Sequence, residues 1–485
     1  MDDYLPSAGT LDQDVVSAAR LLAEQAFSRA AGAPLITGNS LRLLQDAAEN
    51  YPAWLDAMQH ATKTIHFESY IIHDDEVGHR FADLFIAKQR EGVHVRILYD
   101  WMGALGKTSR CFWHRLREAR IEVRCVNPPQ LSSPFGWISR DHRKMLTVDG
   151  RIGFVTGLCV GKMWEGDANR GLDPWRDTGV EIHGPAVADL EQAFARMWAL
   201  TGTALPKSQI PRRTDLAGVG NVGLRVIASE PNTAGLYRLD TLIAAGARHS
   251  LWLTDAYFVG TTVYVRALIA AARDGVDVRL LVPGVSDIAL VRVLSRAGYR
   301  PLLEGGVRVF EWNGPMLHAK TAVADRRWAR VGSTNLNPAS WLGNWELDIA
   351  VEDHPFAQQM ETMFLNDLTH ATEIVLSTRR RVQPARVVRQ ERRSVHKGQG
   401  SAGRAVAGAL RLSNALGAAM TNRRALGPAE TKILVGGGIL LFALATVAIL
   451  WPRVLTFPIA VVGLWSGVVL CGRAYKLRLR RPRRA

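Results

Sequence analysis

The sequence predicts an α/β protein: two duplicated α/β/α domains related by a pseudo-twofold axis, followed by a C-terminal transmembrane helical hairpin. Three observations lead there. A strand–helix–strand pattern occurs twice in the first 375 residues. An HxKxxxxD motif recurs at an offset of 176, and two long uncharged runs lie near the end of the 485-residue chain. With 47% hydrophobic and 22% charged residues, the balance is globular and excludes wholesale disorder.

Residues 1–34 read as a helical extension. Its start, Met1-Asp2-Asp3-Tyr4, is acidic and lacks an apolar core, so no secretory signal is expected. The first half, 35–205, contains a β-branched run at Thr64–Ile72, a helical pattern at Val77–Gln89 and a strand at Gly92–Leu98. The second half, 206–375, repeats this as Ser250–Val259, Thr262–Arg273 and Gly275–Leu281. Glu68-Ser69-Tyr70 aligns with Asp255-Ala256-Tyr257. Strand, helix, strand in each half predicts largely parallel pairing.

The motif copies are His142-Arg143-Lys144 through Asp149 and His318-Ala319-Lys320 through Asp325. In an extended segment, residues i and i+2 share a face, so each His and Lys point the same way. Two copies meeting across a twofold axis bring two imidazoles and two ammoniums to one point. The ammoniums can hold an anionic phosphoryl group. One imidazole can attack phosphorus and the other can move protons. No metal or other cofactor is expected, because the lysines supply the positive charge. Downstream, Gly332-Ser333-Thr334-Asn335 offers polar donors for phosphate oxygens, opposite Thr156-Gly157-Leu158-Cys159 in the first half. Asp177 and Glu346 align and can each hydrogen-bond an imidazole, or pair with a surface arginine.

His66, His73 and His79 with Asp74, Asp75 and Glu76 lack the i, i+4 spacing of a helical metal site and read as a solvated loop. Trp137, Trp164, Trp175, Trp312, Trp328, Trp341 and Trp345 lie near the two histidines in sequence; core packing or a lipid entrance accounts for them. The four cysteines form no CxxC pair, so neither a zinc ribbon nor a disulfide framework is expected.

Charge is concentrated at the end. Residues 379–485 carry 21 Lys/Arg against 2 acids, leaving 39 against 43 for residues 1–378. A slightly acidic body disfavours nucleic acid as a partner. Residues 376–432 read as a basic linker, flexible or partly helical, with a weak amphipathic pattern at Ala402–Met420. Ile433–Trp451 and Val454–Cys471 are 19 and 18 uncharged residues around Pro452-Arg453. As helices each would be about 27–29 Å long, enough for a hydrocarbon core of about 30 Å. Ten Lys/Arg flank the outer ends, so both ends of the 433–471 hairpin and the 472–485 tail are expected in the cytoplasm. The basic residues would also attract anionic lipid.

On these motifs the chain resembles the phospholipase D superfamily, and within it the bacterial cardiolipin synthases, over about residues 35–370. The stretches HRKMLTVDGRIGFVTGLCVG, WRDTGVEIHGPAVADL, HAKTAVADRRWARVGSTNLNPAS and NWELDIAVED carry the likeness. The resemblance implies two phospholipase D-like domains and a catalytic set of His142, Lys144, Asp149, His318, Lys320 and Asp325. In it the histidines react, the lysines bind phosphate, and the aspartates are structural. It further implies phosphate contacts from Ser333 and Asn335. Cys159 departs from the pattern, standing where the first copy often has Asn. The C-terminal position of the hairpin departs too. The implied activity is phosphatidyl transfer from phosphatidylglycerol to an acceptor lipid alcohol through a covalent phosphohistidine. The alternatives are a hydrolytic phospholipase D and a nuclease of the same superfamily. Phosphatidylglycerol and phosphatidylethanolamine would be the lipid partners, at the cytoplasmic face of the inner membrane.

Overall fold

A computed structural model of the chain describes residues 22–129, 139–376 and 382–384, with individual helical residues between 439 and 471. It divides into two units: Met1–Val126 with Arg140–Gln399, and Asn127–Ser139 with Gly400–Ala485. In the second unit, the Ala402–Met420 segment and most of the expected 433–471 hairpin lie outside the described residues. Among the described residues, no helix is long and apolar enough to cross a membrane.

In the first unit, helix α1 (residues 22–31) precedes the first repeat. That repeat runs β1 (Ile36–Gln45), α2 (Asp46–Gln59), β2 (Thr64–Ser69), α3 (Glu76–Arg90), β3 (His94–Asp100), α4 (Trp101–Ala104), α5 (Arg110–Glu118), β4 (Glu122–Val126), β5 (Lys144–Val148), β6 (Ile152–Thr156), α6 (Lys162–Glu165), β7 (Thr178–His183) and α7 (Val187–Leu200). The second runs β8 (Val222–Ser229), α8 (Gly235–Gly246), β9 (Ser250–Thr254), α9 (Thr262–Arg273), β10 (Asp277–Pro283), α10 (Ala289–Glu304), β11 (Arg308–Trp312), β12 (Thr321–Ala324), β13 (Trp328–Gly332), α11 (Pro338–Leu342), β14 (Glu346–Glu352), α12 (His354–Thr369), β15 (Ala371–Leu376) and β16 (Val382–Pro384).

The strands form one sheet, ordered β16-β15-β11-β10-β9-β12-β13-β14-β8-β1-β7-β6-β5-β2-β3-β4. Read outward from the antiparallel β1–β8 seam, the two repeats give the same order, so the pseudo-twofold axis passes through that seam. A core containing Leu190, Phe194 and Trp198 of α7 with Phe356, Met360 and Phe364 of α12 draws on both repeats.

Corresponding helices are capped alike. Asp75 accepts from Gly78 N–H to start α3, and Thr261 accepts from Tyr264 N–H to start α9. Gly92 and Gly275 follow their C-caps at φ +93° and +92°, a conformation that only glycine adopts without cost.

The expectation of largely parallel pairing is corrected. Among the described strands, only β2–β3, β3–β4, β9–β10 and β10–β11 pair in parallel; the other strand pairs are antiparallel. The HxKxxxxD strands turn straight back through short hairpins, which join only antiparallel neighbours. The expected strands at Thr64–Ile72 and Ser250–Val259 end early. Ser69 Oγ donates to Ile71 C=O, and Asp255 accepts from Tyr257 N–H, local bonds that turn the chain. The register also moves the expected Glu68–Asp255 match by one residue. Glu68 lies opposite Met145 and Thr254 opposite Thr321, so Asp255 corresponds to Ser69. Val382–Pro384, expected in the linker, instead pairs with Ile374–Leu376 as an edge strand.

Candidate active site

The first motif copy enters its strand at Lys144, the second just after Lys320. The aspartate closes the strand at its far end, about 17 Å away at 3.3 Å per residue. Asp149 and Asp325 take φ of +53° and +51° in the following turns, a left-handed conformation that Asp tolerates. Asp149 accepts from the N–H groups of Thr62, Lys63 and Thr64 and from the Thr62 hydroxyl. Asp325 accepts from the N–H groups of Arg248, His249 and Ser250. Burial pushes the Asp149 carboxyl up, but the Thr64, Thr62 and Lys63 bonds bring it below the usual carboxylate range. These aspartates tie the motif strand to the start of its neighbour.

The histidine ends of the motifs meet across the two repeats. His142 N–H donates to Trp345 C=O (2.9 Å), and His318 N–H donates to Arg176 C=O (2.7 Å). The next residue in each case supplies the acid. His142 Nδ1 lies 2.9 Å from Glu346 Oε2, and His318 Nδ1 lies 2.7 Å from Asp177 Oδ2. Each repeat therefore holds the other's histidine by main chain and side chain together. Both acids are fully buried, and neither forms an ion pair with a surface arginine. With Nδ1–H given to a carboxylate, Nε2 carries the free lone pair.

The intervening residue turns away, as the pattern predicts: Arg143 Nη1 donates to Ala193 C=O (3.2 Å), and its guanidinium lies 5.3 Å from the Trp345 ring centre. Lys144 Nζ donates to His142 C=O at 2.5 Å, and Lys320 Nζ to His318 C=O. Lys320 Nζ also approaches His318 Nδ1 to 2.9 Å. One ring nitrogen cannot both accept from Lys320 and donate to Asp177. The ionised, closer Asp177 takes the proton, so the lysine contact is not a hydrogen bond to the ring.

Burial dominates the electrostatics. It lowers His142 well below its ordinary range, with Lys144 and Lys320 adding to the effect. It lowers His318 to about 4, with Lys320 adding to it. It also lowers Lys144, and brings Lys320 down to about 8 against the pull of Asp177. Each histidine thus feels the other repeat's lysine. The acids diverge. Burial raises Glu346 to about 7 despite Lys144, Ser333 and Asn344, whereas His318 and Lys320 overcome burial and hold Asp177 below its ordinary value.

Two further expectations meet the geometry differently. Ser333, expected at the phosphate, gives its hydroxyl proton to Glu346 Oε2 (2.6 Å) and accepts from Leu347 N–H (2.9 Å). It therefore positions the acid, together with Asn344, which donates to Glu346 Oε1 (3.1 Å). Asn335 keeps a buried, unpartnered Oδ1 and remains a candidate ligand contact. Cys159 is buried, with its thiol pushed up by burial.

Residues that sequence reasoning missed include Tyr70, whose ring lies 5.0 Å from His142 and 5.3 Å from Lys144 Nζ. Tyr257 lies 5.9 Å from His318. The aromatic following an acid in both repeats was the available signal. Trp164 and Trp175 lie 5.9 and 5.6 Å from His318, whereas Trp328 and Trp341 are core residues. The expected solvated loop is corrected: His66 lies in β2, fully buried against Glu191, and His79 lies in α3 and pairs with Asp74.

A family model described as "Cardiolipin synthase, PLD-like domain" matches residues 54–198 and 241–368. The cardiolipin synthase of Halalkalibacterium halodurans is 34% identical over 356 residues, covering 71% of this chain and 69% of the relative. Cardiolipin synthase A of Pseudomonas fluorescens is 33% identical over 351 residues, covering 70% and 71%. Among solved structures, the phosphatidylserine synthase of Haemophilus influenzae superposes with a TM-score of 0.57 at 14% identity, covering 72% of this chain and 91% of that one. That last likeness concerns the fold. Paired motifs, exchanged acids and matched length together lead to one conclusion: the chain belongs to the cardiolipin synthase family of phospholipase D-like proteins.

Proposed function

We propose that this chain is a phosphatidyltransferase that moves a phosphatidyl group from phosphatidylglycerol to the hydroxyl of an acceptor lipid. The observation carrying this reading is the exchanged His–acid pair, His142–Glu346 and His318–Asp177, flanked by two buried lysines. In the first step His142 Nε2 attacks phosphorus, the bond to the leaving glycerol oxygen breaks, and His318 protonates that oxygen. A phosphate anion between the lysines favours the imidazolium of His318, opposing the lysines' effect. In the second step His318 takes the proton of the acceptor hydroxyl. The new P–O bond forms and the P–N bond breaks. One phosphodiester replaces another, so no nucleotide is consumed. Lys144 and Lys320 bear the phosphoryl charge, and Asn335 is its polar neighbour.

The near-complete burial of His142 (8% exposed) and His318 (5%) supports transfer over hydrolysis, because water reaches the phosphohistidine poorly. Residues 35–205 and 206–375 are the two catalytic halves. The 433–471 hairpin anchors them on the cytoplasmic face, supported by its uncharged runs and flanking bases. The test is lipid analysis of bacteria lacking cardiolipin, with and without this chain. Restored cardiolipin is expected; unchanged cardiolipin with new phosphatidic acid would make the protein a hydrolase. Truncation after residue 430 should release active protein to the soluble fraction, and a membrane-free full-length chain would refute the anchor.

A further inference from the structure

We propose that Asp46, Arg176 and Asp367 form a positioning device for the His318 half of the site; the proposal rests on the reading above that His318 moves the protons. Arg176 precedes Asp177, and its side chain is 6% exposed. Its guanidinium binds Asp367 of α12 through two parallel bonds, Nε to Oδ1 at 2.8 Å and Nη2 to Oδ2 at 3.0 Å. Its Nη1 reaches Asp46 Oδ1 at 3.0 Å, Thr178 Oγ1 at 3.2 Å and the Asp177 carbonyl. Asp46 and Asp177 also exchange two bonds: Asp46 N–H donates to Asp177 C=O (3.0 Å), and Asp177 N–H donates to the side-chain Oδ1 of Asp46 (2.8 Å). Asp46 does this at φ +53°, a left-handed conformation that Asp tolerates.

Two elements thus converge on the short segment entering β7: the β1–α2 junction, and α12 from the other repeat. That segment supplies both grips on His318, the Arg176 carbonyl and the Asp177 carboxylate. The His142 grip has no such fork. Trp345 occupies the place of Arg176 and meets Arg143 by its ring face. A planar guanidinium bound at two points fixes direction as well as distance, which lysine cannot do. A buried ion pair contributes little net stability, so its role here is placement.

The test uses the full-length protein in detergent with phosphatidylglycerol. Asp367→Asn and Arg176→Lys should each lower kcat by about 10–100-fold with KM within about twofold, the range for residues that orient a reacting group through another. Asp367→Glu, keeping the charge, should recover most of the loss. If Asp367→Asn does not fold, Asp46→Asn serves, since Asn tolerates the left-handed backbone and the position is partly exposed. The downfield Nδ1–H proton resonance of His318, assigned by its loss in His318→Ala, should move in the folded variants while that of His142 stays. Unchanged kcat with an unmoved His318 resonance would overturn the proposal, as would a loss confined to KM. If the wild type transfers no phosphatidyl group but the resonance shift appears, the functional reading fails and the positioning device stands.

Discussion

Gly157 should be irreplaceable for a reason set by the other repeat. It corresponds to Ser333, and its backbone is not left-handed, so alanine is conformationally allowed. A Cβ there would lie 2.1 Å from Asp177 Oδ1 and 3.0 Å from its Cγ. Asp177 is fully buried and tied to Thr178 N–H and His318, so it has no free rotamer to take. Restoring ordinary contact requires the carboxylate to move by about 1 Å, and a misplacement of that size costs about 10²-fold in rate. Gly157→Ala should therefore lower kcat about 10²-fold, equivalent to about 2.7 kcal/mol of transition-state stabilisation. The second repeat carries a side chain at this place because Glu346 is one methylene longer and Ser333 bonds it. The double variant Gly157→Ser/Asp177→Glu, copying that pair, should regain much of the loss. The assay is conversion of labelled phosphatidylglycerol by purified full-length protein, with thermal unfolding as the folding control. Wild-type kcat in folded Gly157→Ala would refute the reasoning, and an unrescued double variant would refute its steric half.

His142→Ala and His318→Ala should each abolish turnover, because the two groups act as one unit; acid-quenched labelling should place the phosphatidyl adduct on His142, and an adduct only on His318 would reverse the roles. Glu346 has its carboxyl raised from 4.5 to about 7 by burial, so the folded state holds the proton that the unfolded state releases. Its contribution to stability should fall as pH rises from about 4.5 to 7, by up to about 3 kcal/mol. Glu346→Gln should flatten that part of the unfolding profile while lowering kcat, and an unchanged profile would contradict the assignment. Asp149→Asn should lower stability by about 1–2 kcal/mol and leave kcat near wild type, as a side chain remote from the histidines requires. Because the folded state depresses the Asp149 carboxyl, its stabilisation is present above the unfolded value and lost as pH falls through the folded one.

The repeat and its chemistry were legible because strand periodicity and HxK spacing are local. The i, i+2 rule placed His142 with Lys144 and turned Arg143 away, and alignment matched Asp177 with Glu346. Alignment compares a residue with its counterpart and says nothing of which histidine an acid will meet. The exchange across the seam became visible only in three dimensions. Ser333 was misread for the same reason: a hydroxyl beside a phosphate motif looks like a ligand until the buried carboxylate beneath it is located. Asp46 and Asp367 lie 130 and 191 residues from Arg176, and no periodicity joins them. The antiparallel majority was missed because strand–helix–strand units describe only the outer strands of each repeat.

The exchanged acids bear on ancestry. A single repeat, alone, would own a histidine with no carboxylate and a carboxylate with no histidine. An unfused ancestor could therefore react only as a homodimer, each copy lending its acid to its twin, and both pairs would be identical by symmetry. Joining two copies in one polypeptide removed that identity constraint. The two pairs here do differ: Asp177 stands against Gly157, and Glu346 against Ser333.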